Sequence, residues 1–102
     1  MVECVDVRLG SDGRVQCPVV DNVYRVIMNI RLLSNDEQYV YLYNDGQNFS
    51  TNKYIITEDF SAVIVTNVTV SDVGGYYCSM SATTGGGNSR FTTLSVYGKQ
   101  LP

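Results

Sequence analysis

The sequence predicts an all-β protein, two antiparallel sheets packed face to face as a sandwich. Three observations predict it. The composition favours strands: eight tyrosines and many valine, isoleucine and threonine residues in 102, types that fit a pleated, half-buried surface. Apolar and polar residues alternate in short segments broken by polar turns, with no helical period. The third is the run Asp72-Val73-Gly74-Gly75-Tyr76-Tyr77-Cys78. A glycine there lets the chain turn a sharp corner. Tyr76 and Cys78, two apart, point to one face of a strand. A buried tyrosine needs a partner for its hydroxyl.

Bulk properties narrow the function classes. The length suits one domain, which can bury roughly 65% of its unfolded surface. Hydrophobic residues make up 44% of the chain, and the formal net charge is −3. The basic residues are scattered and form no stripe, so neither a nucleic-acid nor an anionic-membrane footprint is read. No apolar run approaches the length of a membrane-spanning helix. Met1 is followed directly by Val2-Glu3-Cys4, which is no secretory leader. An extracellular reading therefore takes the sequence as a trimmed domain with an added start methionine.

Taken in order, residues 2–9 read as an edge strand, with Val5, Val7 and Leu9 on one side and Cys4 and Asp6 on the other. Gly10-Ser11-Asp12-Gly13 is a turn. Residues 14–19 alternate, with Val15, Cys17 and Val19 on one face and Pro18 pointing the other way, a position that an outer strand tolerates. Residues 24–33 form a long strand with Val26, Met28, Ile30 and Leu32 on one face and Ile27, Asn29, Arg31 and Leu33 on the other. After the polar turn 34–37, Tyr39-Val40-Tyr41-Leu42-Tyr43 alternates, placing all three tyrosines on the same side. Asn44-Asp45-Gly46 is a hairpin signal. Residues 47–52 read as either a short strand or a loop. Strands follow at 53–57 and 60–67, with Val63, Val65 and Val68 inward. The strand after the corner spans about 75–81, a glycine-rich tip spans 82–89, and the last strand spans 90–96 with Leu94 and Val96 inward.

Across nearly its whole length the chain resembles a V-type (V-set) domain of the immunoglobulin superfamily. The anchors are Cys17, the Val63-x-Val65-x-x-Val68 pattern, and Asp72, Gly74, Tyr76 and Cys78. Residues 40–46 and 67–72 are similar to butyrophilin and B7-type domains, and a variable-like immune-receptor domain of an invertebrate or lower chordate fits equally well. The resemblance implies an immunoglobulin-like Greek-key sandwich over residues 1–97, followed by a linker or tail at 98–102. It implies a Cys17–Cys78 disulfide, closing a loop of about 60 residues and contributing ~4 kcal/mol in a chain-entropy treatment. The third cysteine, Cys4, is left as a free thiol or a partner for another chain. It also implies a Tyr76 corner and a Lys53–Asp72 salt bridge. The family carries a tryptophan beside the disulfide, whereas this chain has none; Met28 is the candidate replacement, and an alignment through Arg31 would place Asn29 there. Asn88-Ser89-Arg90-Phe91 stands where antibody and T-cell-receptor chains carry a glycine bulge, which argues against those chains.

Nothing reads as an enzyme, and no cofactor or metal site is expected. The chain has no histidine, the commonest general base and metal ligand. The carboxylate pairs Asp36-Glu37 and Glu58-Asp59 fall in turns, where neighbouring side chains diverge. Gly85-Gly86-Gly87 lacks the lysine and helix of a phosphate loop. Two N-glycosylation sequons, Asn48-Phe49-Ser50 and Asn67-Val68-Thr69, accord with a cell-surface or secreted protein.

Period two then selects a binding face. The sheet that the resemblance builds from strands G, F, C and C′ would turn Ile27, Arg31, Tyr39, Tyr41 and Tyr77 outward. Tyrosine and arginine dominate interface energetics. The expected function is therefore recognition of a protein partner, or of a second copy, in immunity or adhesion. The alternative is a pattern-recognition module binding microbial carbohydrate through the loops 20–25, 44–52 and 82–89. A third reading is a spacer in a longer ectodomain.

Overall fold

The computed structural model describes residues 3–34 and 36–98. Among these, nine strands follow one another: β1 (Glu3–Arg8), β2 (Gly13–Gln16), β3 (Val23–Leu32), β4 (Glu37–Asn44), β5 (Gln47–Asn48), β6 (Tyr54–Ile56), β7 (Ala62–Val65), β8 (Gly74–Ala82) and β9 (Gly87–Tyr97). A single 3₁₀ turn, Val70–Asp72, precedes β8. The expectations for Met1, Val2, Asn35 and residues 99–102 lie outside the described residues. Of the tail, only Gly98 is described.

The strands form an immunoglobulin-like sandwich. One sheet has the order β1-β9-β8-β3-β4-β5 and the other β2-β7-β6. Their inner faces meet in a core that includes Val15, Val26, Met28, Ile30, Leu42, Val63, Val65, Tyr76 and Leu94, all fully buried. Burying one such side chain contributes roughly 1.5–3 kcal/mol. The Cys17–Cys78 disulfide ties the end of β2 to β8 across the core, with Cα atoms 5.1 Å apart. Met28 is the ladder partner of Cys78 and is fully buried. It occupies the place beside the disulfide, its flexible thioether filling the gap. Asn29 points to the opposite face.

Four expectations are corrected. The first concerns strand direction, because β1 runs parallel to its neighbour β9, pairing Val5 with Leu94 and Val7 with Val96. The turn after Arg8 carries the chain over to the second sheet, so β1 cannot pair with β2. The strand edge left to it is β9, which runs in the same direction.

The second concerns Pro18 and Val19. The ladder to β7 ends where Cys17 N–H donates to the Ser61 carbonyl, 2.9 Å. Beyond that rung period two no longer holds. Pro18 is buried, and Val19 is 94% exposed rather than inward with Val15 and Cys17.

The third concerns Tyr43. Ile27 pairs with Tyr41 but Val26 pairs with Tyr43, so Leu42 is the extra residue of a β-bulge. The bulge turns Tyr43 to the core side. Its ring meets Phe60 edge-on, with centroids 4.9 Å apart.

The fourth concerns the glycine-rich tip, which is shorter than residues 82–89. Met80 pairs with Asn88 and Ser81 with Gly87, leaving a turn at 83–86. This turn is closed by Ala82 N–H donating to the Gly86 carbonyl, 2.7 Å. Residues 47–52 resolve into the two-residue strand β5 followed by a loop.

Candidate functional site

The site is built from the corner outward. Tyr76, fully buried, donates its hydroxyl to the Asp72 carbonyl, 2.5 Å. Burial raises the phenol well above its ordinary pKa, with Tyr54 and Asp72 adding to the effect. The hydroxyl therefore stays a donor. Asp72 is buried, and its carboxylate accepts from Lys53 Nζ at 2.8 Å and from the Thr69 N–H at 2.8 Å. Lys53 Nζ also donates to the Thr66 carbonyl, 2.9 Å. These bonds hold the start of β8 against the end of β7. Gly74 makes the approach to β3 possible, since a Cβ there would lie 2.3 Å from the Arg31 carbonyl oxygen.

With Tyr76, Cys78 and Met80 turned inward, Tyr77 and Ser79 must face out. The ladders align the outward residues of four strands in three rows. The first joins Glu37, Arg31, Gly75 and Thr93; the second Tyr39, Asn29, Tyr77 and Phe91; the third Tyr41, Ile27, Ser79 and Ser89. Ile27, Arg31, Tyr39, Tyr41 and Tyr77 thus share the outer face of the six-stranded sheet, here called the front face. Exposed Cys4 stands beside Thr93 at the end of the first row.

Side-chain contacts tie the rows together. The Arg31 guanidinium lies 5.5 Å from the Tyr77 ring centroid, within cation–π range. Tyr77 and Phe91 stack at a tilt with centroids 4.6 Å apart. Arg31 Nε approaches Glu37 Oε1 at 3.8 Å. The same oxygen accepts from Asn29 Nδ2 and from the Tyr39 hydroxyl, each at 3.2 Å. Asn29, then Tyr39 and more weakly Arg31, hold the Glu37 carboxyl below its ordinary pKa. The acid is thereby kept as an acceptor that orients Tyr39. Tyr39 and Tyr41 remain 64% and 59% exposed.

Two members of this face are not singled out by the sequence reading. Phe91 is available by parity, because Leu94 inward places Phe91 and Thr93 outward. Glu37 reads in the sequence as a solvated turn residue, although it lies two positions before Tyr39 on the same side of the strand. Gly75 makes room for Phe91; a Cβ there would fall 2.6 Å from the ring.

The other residues singled out from the sequence lie elsewhere. Asn48 is exposed on β5, and Asn67 is exposed in the turn after β7. Asp59 serves its own turn, accepting from the Ser61 hydroxyl at 2.7 Å and the Thr57 hydroxyl at 2.8 Å. Those bonds hold its carboxyl at a pKa of about 2.

The chain matches no family model and no curated protein.

Proposed function

We propose that this chain is an immunoglobulin V-type recognition module that works outside the cell and binds a protein partner, or a second copy of itself, through the front face. One observation carries the reading: Phe91, Tyr77, Arg31, Glu37 and Tyr39 form an unbroken chain of contacts across four strands, with Tyr41 and Ile27 beside it. Aromatic and arginine side chains supply most of the energy at protein interfaces. Here they are already held by one another, so less conformational entropy is lost on docking. The disulfide in a small β domain supports an oxidising compartment.

The test compares the wild-type domain with a Tyr41→Ala/Tyr77→Ala variant. Self-association is read by sedimentation, and binding to cells by staining with tetramers of the domain. The reading expects at least a tenfold loss in one of the two, about 1.4 kcal/mol, with the disulfide intact. Equal behaviour in both measurements would overturn it.

A further inference from the structure

The front-face reading leaves both sequons unused, and the fold gives each a definite direction. Asn48 pairs with Tyr43 across the β4–β5 ladder. Cross-strand partners point the same way, and the bulge at Leu42 has turned Tyr43 inward. Asn48 therefore leaves the sheet on the side away from Tyr39 and Tyr41. Its Oδ1 accepts from the Ser50 N–H, 2.8 Å, and among the described residues its Nδ2 donates to nothing. Asn67 follows β7, in the other sheet, and is likewise exposed. Its backbone adopts φ 48°, its N–H donates to Asp12 Oδ1 at 3.0 Å, and its carbonyl accepts from Lys53 Nζ at 3.3 Å. Its side-chain amide has no partner among the described residues.

A second observation accompanies each asparagine. Phe49, inside the first sequon, is 46% exposed, and Val70, one residue past the second, is 69% exposed. Phe49 follows Asn48 at the end of β5, and Val70 lies in the 3₁₀ turn before β8. A sugar ring has an apolar C–H side that can lie on an aromatic ring or an isopropyl group, removing it from water.

We propose that Asn48 and Asn67 both carry N-linked glycans, which clothe the β5 edge and the β7–β8 turn and leave the front face bare. The proposal rests on the extracellular part of the function proposed above. The donor would be an oligosaccharide on a polyprenyl diphosphate. The asparagine Nδ2 forms a C–N bond to the anomeric carbon, and the C–O bond to the diphosphate breaks. The diphosphate leaves with the electron pair, and one Nδ2 proton passes to a base. Nothing is oxidised or reduced.

The test expresses the chain behind a secretory leader in eukaryotic cells and weighs the secreted protein before and after peptide N-glycosidase. Two glycans are expected, one lost in Asn48→Asp and the other in Asn67→Asp; aspartate tolerates the left-handed backbone at 67. Hydroxyl-radical footprinting then compares the wild-type protein with and without its glycans, a readout that needs no variant to fold. Oxidation of Phe49 and Val70 is expected to rise severalfold on deglycosylation, and that of Tyr39 and Tyr41 to change less than twofold. Fewer than two glycans on the secreted chain would overturn the proposal, and so would a rise at Tyr39 and Tyr41 matching that at Phe49. A doubly glycosylated chain whose Tyr41→Ala/Tyr77→Ala variant behaves as wild type removes the front-face reading alone. A bare chain whose association depends on those tyrosines removes this proposal alone.

Discussion

On the outside of the six-stranded sheet the ladder rows carry Arg31 with Glu37, and Tyr39 and Asn29 with Tyr77 and Phe91. On the outside of the three-stranded sheet they carry Arg14 beside Ile64 and Ile55. Both outer faces obey the same alternation, and both back onto the same core. They differ in what alternation presents. The back face is aliphatic, with an arginine already donating to the Ser61 hydroxyl at 2.9 Å. The front face combines phenol rings, a guanidinium and a carboxylate that contact one another while two tyrosines stay open to water. Burial pattern alone would not separate the two faces. Side-chain chemistry does: the front carries linked aromatic and charged groups, and the back is mostly aliphatic.

The difference extends to strand length, and the largest expected effect tests it. β3, β8 and β9 have 10, 9 and 11 residues, whereas β2, β6 and β7 have 4, 3 and 4. The disulfide joins the short-stranded sheet to the long-stranded one. Replacing both cysteines, Cys17→Ala with Cys78→Ala, should lower unfolding free energy by ~4 kcal/mol in urea. Amide exchange should then show β2 and β7 opening more readily than β3 and β8. Equal protection of the two sheets in the variant would show that the disulfide is not what holds the back sheet in place.

The corner is the next largest effect. It links Lys53, just before β6, to Asp72 and Tyr76 at the start of β8. Tyr76→Phe removes one buried hydrogen bond and should cost about 1 kcal/mol. Asp72→Asn should cost about 1–2 kcal/mol, held down because Lys53 reaches solvent. Neither change touches Tyr77, so tetramer binding through the front face should persist in both folded variants. Loss of binding without loss of stability would mean that the corner does more than set the parity of β8.

Period two makes much of this legible in the amino-acid sequence. It places Val26, Met28 and Ile30 inward on β3, Val63 and Val65 on β7, and Cys78 and Met80 on β8, all of them buried. It fails where the backbone departs from a regular ladder. No residue pattern announces the bulge at Leu42, so alternation assigns Tyr43 to the wrong face. It misplaces Val19 because pairing stops at Cys17, and pairing depends on a distant strand rather than on local sequence. The partner of β1 is illegible for a related reason: alternation says which side a residue faces and nothing about the neighbouring strand or its direction. The front face is partly legible. Parity finds its tyrosines, but the Glu37 bonds that orient Tyr39 depend on β3 and β4 pairing Arg31 with Glu37 and Asn29 with Tyr39, a register that only the folded chain displays.

The smallest effect concerns acid, and it belongs to the back of the molecule. Asp59 sits in the turn leading into β7, and the Ser61 hydroxyl, the Thr57 hydroxyl and the Ser61 N–H lower its pKa from 3.8 to about 2. Those bonds favour the carboxylate, so the unfolded chain takes up the proton at a higher pH than the folded one. The resulting stabilisation is present in full above the unfolded pKa of 3.8 and is lost as pH falls towards about 2. Asp59 is exposed to solvent, so the effect is small. It should appear as a fall in Tm between about pH 4 and pH 2, shallower in Asp59→Asn than in wild type. Front-face variants such as Tyr41→Ala should keep the wild-type slope over that interval. If Asp59→Asn keeps it as well, the turn owes its geometry to Thr57 and Ser61 alone, and the carboxylate contributes nothing to holding the end of the back sheet.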